Sequence, residues 1–80
     1  NYPNPFNPTT HIPYSVRKGG HTRLRIFNLL GQNVRILVDG YKAPGKYLAE
    51  FSGNNLPSGI YFYQIQCGNF IQTKKMLIIE

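Results

Sequence analysis

Apolar and polar residues alternate along several short stretches of this chain. Side chains on a β-strand point alternately to opposite faces, so these stretches predict strands with one face on a core. The clearest stretch is residues 60–67, which follow a turn-rich segment and are rich in β-branched and aromatic residues. Its predicted inward positions are Tyr61, Tyr63, Ile65 and Cys67. We predict a central strand there.

The same alternation predicts further strands at residues 9–16, 22–28, 33–38, 45–51 and 70–79. Their predicted inward positions are Ile12, Tyr14 and Val16, then Leu24 and Ile26, then Tyr47, Ala49 and Phe51. Pro13 has no backbone N–H, which restricts the first strand to the edge of a sheet. Short strands with turn signals at near-regular spacing predict an all-β fold, an antiparallel β-sandwich.

Turn residues mark the connections between these strands. Residues 29–32 join the second and third strands in a hairpin, where Gly31 is free to take positive φ. Asp39 and Gly40 predict a turn that ends the third strand, followed by a short loop. A helix over residues 26–38 is the main alternative because Leu and Ile are dense there, but Gly31 and the β-rich neighbours favour strands.

The last predicted strand ends in an apolar run, residues 76–79, which predicts a segment covered on both faces and a buried Leu77. Just before this run, Lys74 and Lys75 must point to opposite faces of the strand. An unpaired ammonium is costly to bury, so both head groups are expected to reach solvent.

Leu56, Gly59 and Tyr61 have the spacing of a tyrosine corner. In Greek-key sandwiches this is a tyrosine near a strand start whose hydroxyl bonds to upstream backbone. Gly45 and Tyr47 repeat the local pattern, with glycine two residues before tyrosine. The alternative is a core tyrosine without a corner, and in either case the role is structural.

The 80 residues fit one small domain of marginal stability, and 41% hydrophobic content excludes a disordered tail. No apolar run is long enough to cross a bilayer as a helix. The chain opens on Asn1 and is expected to be a piece of a larger protein. A single cysteine, Cys67, excludes an internal disulfide and a Cys-based zinc site, and it is interpreted as a small buried hydrophobe.

Residues 1–8 differ in composition from the rest, with proline at three of eight positions. Proline fixes φ and restricts the residue before it, so this segment is expected to be extended and stiff. We predict two parts, a Pro-rich strap or linker at residues 1–8 and a β-sandwich at residues 9–80. Tyr2 and Phe6 are candidates for pinning the strap to an edge of the sandwich.

The net charge of +6 raises the possibility of nucleic-acid binding. The nine basic residues are spread along the chain without a run longer than two. Arg23 and Arg25 alternate with Leu24 and Ile26, which is typical of a solvated strand face. We therefore expect no nucleic-acid partner.

Candidate catalytic or metal-binding groups are sparse. The acidic residues are only Asp39, Glu50 and Glu80, and their spacing predicts no carboxylate pair. His11 and His21 have no cysteine, carboxylate or second histidine at metal-ligand spacing, so both are interpreted as surface residues. We predict a monomer that is not an enzyme and needs no cofactor or metal.

Four segments in this order carry a family resemblance: YPNPFNPTT at residues 2–10, IFNLLGQNV at 26–34, LPSGIY at 56–61 and KKM at 74–76. Together they resemble the type A C-terminal sorting domain of the type IX (Por) secretion system, and the resemblance covers essentially the whole chain. That family is similar in fold to the immunoglobulin-like domain of flagellar hook-capping proteins. The resemblance implies an immunoglobulin-like sandwich of about seven short strands.

The resemblance also implies a function. Family members sit at the C-terminus of secreted cargo, which reaches the periplasm by an ordinary N-terminal signal. The sorting domain then directs the cargo across the outer membrane to the cell surface or the medium, and a sortase-like peptidase usually removes it. The residues that match family motifs are Pro3, Asn4, Pro5, Gly45, Tyr47, Gly59, Tyr61, Lys75 and Met76. The family often ends on a basic residue, whereas this chain ends on Glu80.

Two other functions are compatible with a small sandwich. A carbohydrate-binding module would place Tyr41, Phe27 and Phe62 on one flat exposed face. A spacer module would be dispensable for export. The position of the three aromatic rings distinguishes the first alternative, and a deletion distinguishes the second.

Overall fold

The computed structural model describes residues 9–52 and 56–79. They form six β-strands: β1 Thr9–Val16, β2 Gly20–Phe27, β3 Asn33–Lys42, β4 Gly45–Ser52, β5 Gly59–Cys67 and β6 Phe70–Ile78. This confirms the all-β prediction, with six strands in the described residues rather than about seven. No helix in that part of the chain has the length and hydropathy needed to span a bilayer.

The strands form two antiparallel sheets. One has two strands in the order β1-β4, and the other has four in the order β3-β2-β5-β6. The first sheet joins distant parts of the chain, with Thr9 opposite Ser52 and Val16 opposite Gly45. This arrangement of a strand pair facing a four-stranded sheet is that of an immunoglobulin-like sandwich. Among the described strands, β1 pairs with β4 alone, so the edge position predicted from Pro13 is confirmed.

The core lies between the sheets and is built from alternate positions of the strands, as predicted. The buried apolar residues are Ile12, Tyr14, Val16, Leu24, Ile26, Ala49, Phe51, Leu56, Tyr61, Ile65 and Ile78. Leu24 and Ile26 on the central strand β2 have no exposed surface. Burying such a side chain stabilises the fold by about 1.5–3 kcal/mol, so the two central positions are among the largest single contributions.

The β2–β3 hairpin replaces the alternative helix over residues 26–38. The side-chain oxygen of Asn28 accepts hydrogen bonds from the backbone N–H groups of Leu30 and Gln32, at 2.9 and 3.0 Å. Gly31 has a φ of 82°, a conformation that only glycine adopts at little cost. The predicted turn is confirmed, and the polar side chain of Asn28 holds it.

The predicted turn at Asp39 and Gly40 is wrong. Both residues lie within β3, where Asp39 pairs with Arg23 and Gly40 pairs with Thr22. A turn dipeptide remains extended when a partner strand is available to hydrogen-bond its backbone. Strand β3 therefore continues to Lys42, and the predicted loop shortens accordingly.

The expectation that residues 76–79 are covered on both faces is also wrong. Ile78 is 4% exposed, whereas Leu77 is 61% and Ile79 is 65% exposed. The reason is that the four-stranded sheet packs on the other sheet with only one of its faces. Among the described residues, no third layer covers the outer face.

Candidate functional site

Two tyrosines near strand starts bend the chain back on itself in the same way. The hydroxyl of Tyr61 donates a hydrogen bond to the carbonyl oxygen of Pro57 at 2.7 Å. The hydroxyl of Tyr47 donates to the carbonyl oxygen of Ala43 at 2.6 Å. Each acceptor lies four residues before its tyrosine. The predicted tyrosine corner is confirmed at Tyr61, and the repeated sequence pattern forms a second corner at Tyr47.

A glycine two residues before each tyrosine makes this geometry accessible. Gly45 and Gly59 are the first residues of β4 and β5, and both have a φ of 155°. L-residues with a side chain rarely adopt that backbone conformation, so glycine is the residue that fits. The chain therefore turns sharply at the glycine, and the tyrosine hydroxyl then reaches the segment just passed.

The two corners differ in their surroundings. Tyr61 is buried at 5% exposure, whereas Tyr47 is half-buried and stacks on Tyr14 with ring centroids 5.2 Å apart. The ammonium of Lys42 lies 5.2 Å from the centroid of the Tyr47 ring, a cation–π contact. Burial, together with the nearby Tyr47, raises the pKa of Tyr14 above its usual value. In both corners the tyrosine hydroxyl is used to hold the preceding backbone.

The motif residues that the structure describes do not converge on one place. Tyr61 pairs with Met76 across β5 and β6, and both face the core. Lys75 pairs with Phe62 on the outer face of the four-stranded sheet and is exposed. Tyr47 belongs to the other sheet.

Lys74 pairs with Tyr63 on the inner face and is exposed as well. The prediction that the two neighbouring lysines point to opposite faces and reach solvent is therefore confirmed. The strap at residues 1–8, including Pro3, Asn4, Pro5 and the anchors Tyr2 and Phe6, lies outside the described residues.

The two described carboxylates each bind a histidine. Asp39 lies 2.6 Å from the Nε2 of His21 and 3.4 Å from the Nε of Arg23. The hydrogen bond with His21, aided by Arg23, holds the pKa of Asp39 below its usual value. Glu50 lies 3.3 Å from the Nε2 of His11. All of these groups are on exposed strand surfaces, where such pairs contribute little to stability.

Cys67 is half-buried on the same face as Tyr61. Its sulfur lies 3.4 Å from the hydroxyl of Thr22 and 3.6 Å from the backbone oxygen of Lys18. The predicted burial of Cys67 is therefore only partial, and the residue also ties β5 to the start of β2 through weak polar contacts. Within residues 9–52 and 56–79, no three His, Cys, Asp or Glu side chains are grouped so as to hold a metal ion.

The three aromatic residues of the carbohydrate-binding alternative do not form one platform. Phe27 and Phe62 are opposite each other on β2 and β5. Tyr41 is opposite His21. Because His21 and Phe27 are six positions apart on one strand, Tyr41 lies about 20 Å from the Phe pair along the sheet. Nothing in the described structure supports this alternative.

Sequence reasoning missed two contacts between strands and one groove. They are the Tyr14–Tyr47 stack, the His21–Asp39 pair and an open groove beside β1. Each depends on the register between strands far apart in sequence, for which the one-dimensional pattern contains no signal. Sequence reasoning also missed that three basic residues lie on adjoining turns and strand ends at one end of the sandwich: Lys18, Lys42 and Lys46.

The fold and the corner geometry define a class of protein: a small immunoglobulin-like sandwich with a tyrosine corner at the start of two strands. Within that class, the chain belongs to the family of type IX secretion C-terminal sorting domains. The family model described as "Secretion system C-terminal sorting domain" matches residues 1–80. The comparisons with curated proteins and with solved structures found no match.

Membership of this family gives the domain its function as a C-terminal sorting signal for type IX secretion. The signal implies a fused cargo, an interaction with the type IX machinery, and export to the cell surface or the extracellular space. The family acts in sorting and is not catalytic.

Proposed function

We propose that this domain is a non-catalytic export signal that works in the folded state. It carries an N-terminally fused cargo from the periplasm across the outer membrane, after which a sortase-like peptidase removes it. The observation that carries the proposal is the family match over residues 1–80. The division into a strap at residues 1–8 and a sorting sandwich at residues 9–80 is part of the proposal.

We assign two kinds of role to the motif residues. The glycine–tyrosine pairs keep the strand starts in place, since both tyrosines hydrogen-bond to upstream backbone. Met76 is half-buried against the core and acts by packing. Lys75 is exposed on the outer face and makes no ion pair with another described residue. It is therefore available to contact the export machinery.

The proposal is tested by fusing residues 1–80 to the C-terminus of a periplasmic reporter. The fusion is expected on the cell surface or in the medium of a host with the type IX machinery, and in the periplasm of a host without it. Reporter activity in the separated fractions is the measurement. Retention in the periplasm of the first host, when a known sorting domain exports the same reporter, would refute the proposal.

Lys75→Ala in the same fusion separates recognition from folding. Because the side chain is exposed, the change is expected to cost about 0.5 kcal/mol or less and to leave the melting temperature nearly unchanged. Export is expected to fall. Normal export of the stable variant would remove Lys75 from the signal while leaving the sorting function intact.

A further inference from the structure

The two sheets of the sandwich differ in width, and this leaves part of the inner face open. Strand β4 lies next to β3, so the two-stranded sheet covers the β3 side of the four-stranded sheet. At the other side, none of the six described strands lies above the first half of β6. Phe70, Gln72 and Lys74 point to the inner face there, opposite Cys67, Ile65 and Tyr63, yet all three are exposed.

This uncovered strip forms a groove of about 880 Å³ between β1 and β6. Its floor is the inner face of β5 and β6, with Tyr63, Ile65 and Phe70 among the lining residues. Its wall is the edge of β1 with which no described strand pairs, including Pro13 and Ser15. Neighbouring strands are about 4.8 Å apart within a sheet. One more strand beside β1 would therefore cover the exposed part of β6.

The groove is positively charged. Arg17, Lys18 and Lys74 line it, are exposed, and make no ion pair within residues 9–52 and 56–79. None of the described residues that line the groove carries a carboxylate. Of the acidic residues that the structure describes, Asp39 binds His21, which lines the groove, and Glu50 binds His11, which does not. The electrostatic complement of this groove is an acidic segment.

The free edge of β1 favours a polypeptide over other anions. Proline is accommodated in an edge strand where its missing N–H would face the open side. The backbone nitrogen of Pro13 therefore points away from β4 and toward the groove. Ser15 lies two positions further and presents its backbone N–H and C=O to the same side. An extended peptide can pair with such an edge through main-chain hydrogen bonds, which is the mode called β-augmentation. A phosphate group or a glycan has no peptide backbone with which to form such a ladder of hydrogen bonds.

We propose that the groove between β1 and β6 binds an extended acidic segment of a protein of the export machinery, which adds a third strand beside β1. Its acidic side chains meet Arg17, Lys18 and Lys74, and its apolar side chains lie against Tyr63 and Phe70. The inference rests on the proposed function, because it assigns the recognition surface of the sorting signal. It is independent of Lys75, which points to the opposite face.

The experiment uses the reporter fusion in a host with the type IX machinery. A photoreactive benzophenone side chain replaces Gln72 in the groove or, as the matched control, Ile71 on the outer face of the same strand. Both positions are exposed. After illumination of living cells, the attached peptide is sequenced. A second pair of variants reverses the charge of one exposed lysine. Lys74→Glu does so inside the groove, and Lys46→Glu, the matched control, does so outside it.

The expected result is an adduct from position 72, and none from position 71, with a segment rich in Asp or Glu from an outer-membrane protein. Lys74→Glu is expected to lower both the adduct and export about tenfold, while Lys46→Glu changes neither and both variants keep the wild-type melting temperature. The tenfold change corresponds to a loss of about 1.4 kcal/mol in binding.

Other results would overturn the inference. Adducts with residues 1–8 of the same chain, with a second copy, with lipopolysaccharide or with a segment lacking acidic residues would each assign a different occupant. Equal adducts at both positions, no adduct during normal export, or equal effects of the two lysine variants would also overturn it. Retention of the unmodified fusion in the periplasm would instead refute the proposed function on which it rests.

Discussion

At the scale of the residue, the two glycine–tyrosine pairs explain how β4 and β5 start. Gly45 and Gly59 share a φ of 155°, and Tyr47 and Tyr61 each hydrogen-bond to backbone four residues upstream. A glycine loses more conformational freedom on folding than any other residue. The tyrosine bond helps to offset that cost, contributing about 0.5–1.5 kcal/mol. The pair therefore functions as a unit.

Gly59→Ala tests this unit. The added Cβ meets no atom within 4 Å, so any cost arises from the positive φ alone. We expect a loss of about 1–3 kcal/mol in the free energy of unfolding, measured by urea denaturation. Gly40→Ala is the matched control, because its Cβ also meets nothing and its φ is not in the glycine-favoured region. Alanine there is expected to be neutral or stabilising by about 0.5–1 kcal/mol. Similar losses in both variants would contradict the assignment.

At the scale of the element, β6 shows how neighbouring residues in one apolar run have opposite surroundings. Ile78 points into the core opposite Gly59, whereas Leu77 points outward opposite Ile60. Leu77 and Ile60 are both exposed. The same strand is polar on its inner face at Gln72, where the groove leaves it uncovered. The surroundings of each position depend on the layer above it and not on its neighbours in sequence.

Ile78→Ala and Leu77→Ala make a matched pair at this strand. Ile78→Ala removes a buried side chain and leaves a cavity, so we expect a loss of about 2–5 kcal/mol in the free energy of unfolding. Leu77→Ala is expected to cost only about 0.5 kcal/mol, as at other surface positions. Both values are read from thermal or urea unfolding of residues 1–80. A larger loss for Leu77→Ala than for Ile78→Ala would show that Leu77, and not Ile78, faces the core.

At the scale of the whole molecule, long-range pairing holds the fold together. Strand β1 pairs with β4, and β2 pairs with both β3 and β5, so segments from across the chain must meet before either sheet forms. Such topologies fold slowly compared with helical domains of the same size. The expected stability is that of native domains in general, about 0.05–0.15 kcal/mol per residue.

Residues 1–80 are expected to fold alone as a monomeric sandwich without metal. The prediction rests on the continuous core shared by both sheets. Far-UV circular dichroism should show β-structure with little helix, and sedimentation should give the mass of one chain. Unfolding should occur at the same temperature with and without a chelator. Substantial helix, a stable dimer or loss of structure on chelation would contradict the prediction.

The local features of this protein could be predicted from its sequence. Alternation placed Ile12, Leu24 and Phe51 on inward faces, and these residues are buried. The spacing of Gly59 and Tyr61 indicated a corner, which the structure confirms. These predictions succeed because side-chain direction along a strand and the conformational freedom of glycine are properties of the chain itself.

The tertiary structure decided what each predicted strand faces. Asp39 and Gly40 remain extended because a partner strand pairs with them, and Leu77 is exposed because no described layer covers its side of the sheet. The groove beside β1 exists because two strands face four, a difference in width that alternation along one strand does not encode. The sequence by itself determined the strands and their inward positions. Pairing between distant segments determined which faces are covered and which remain open to a partner.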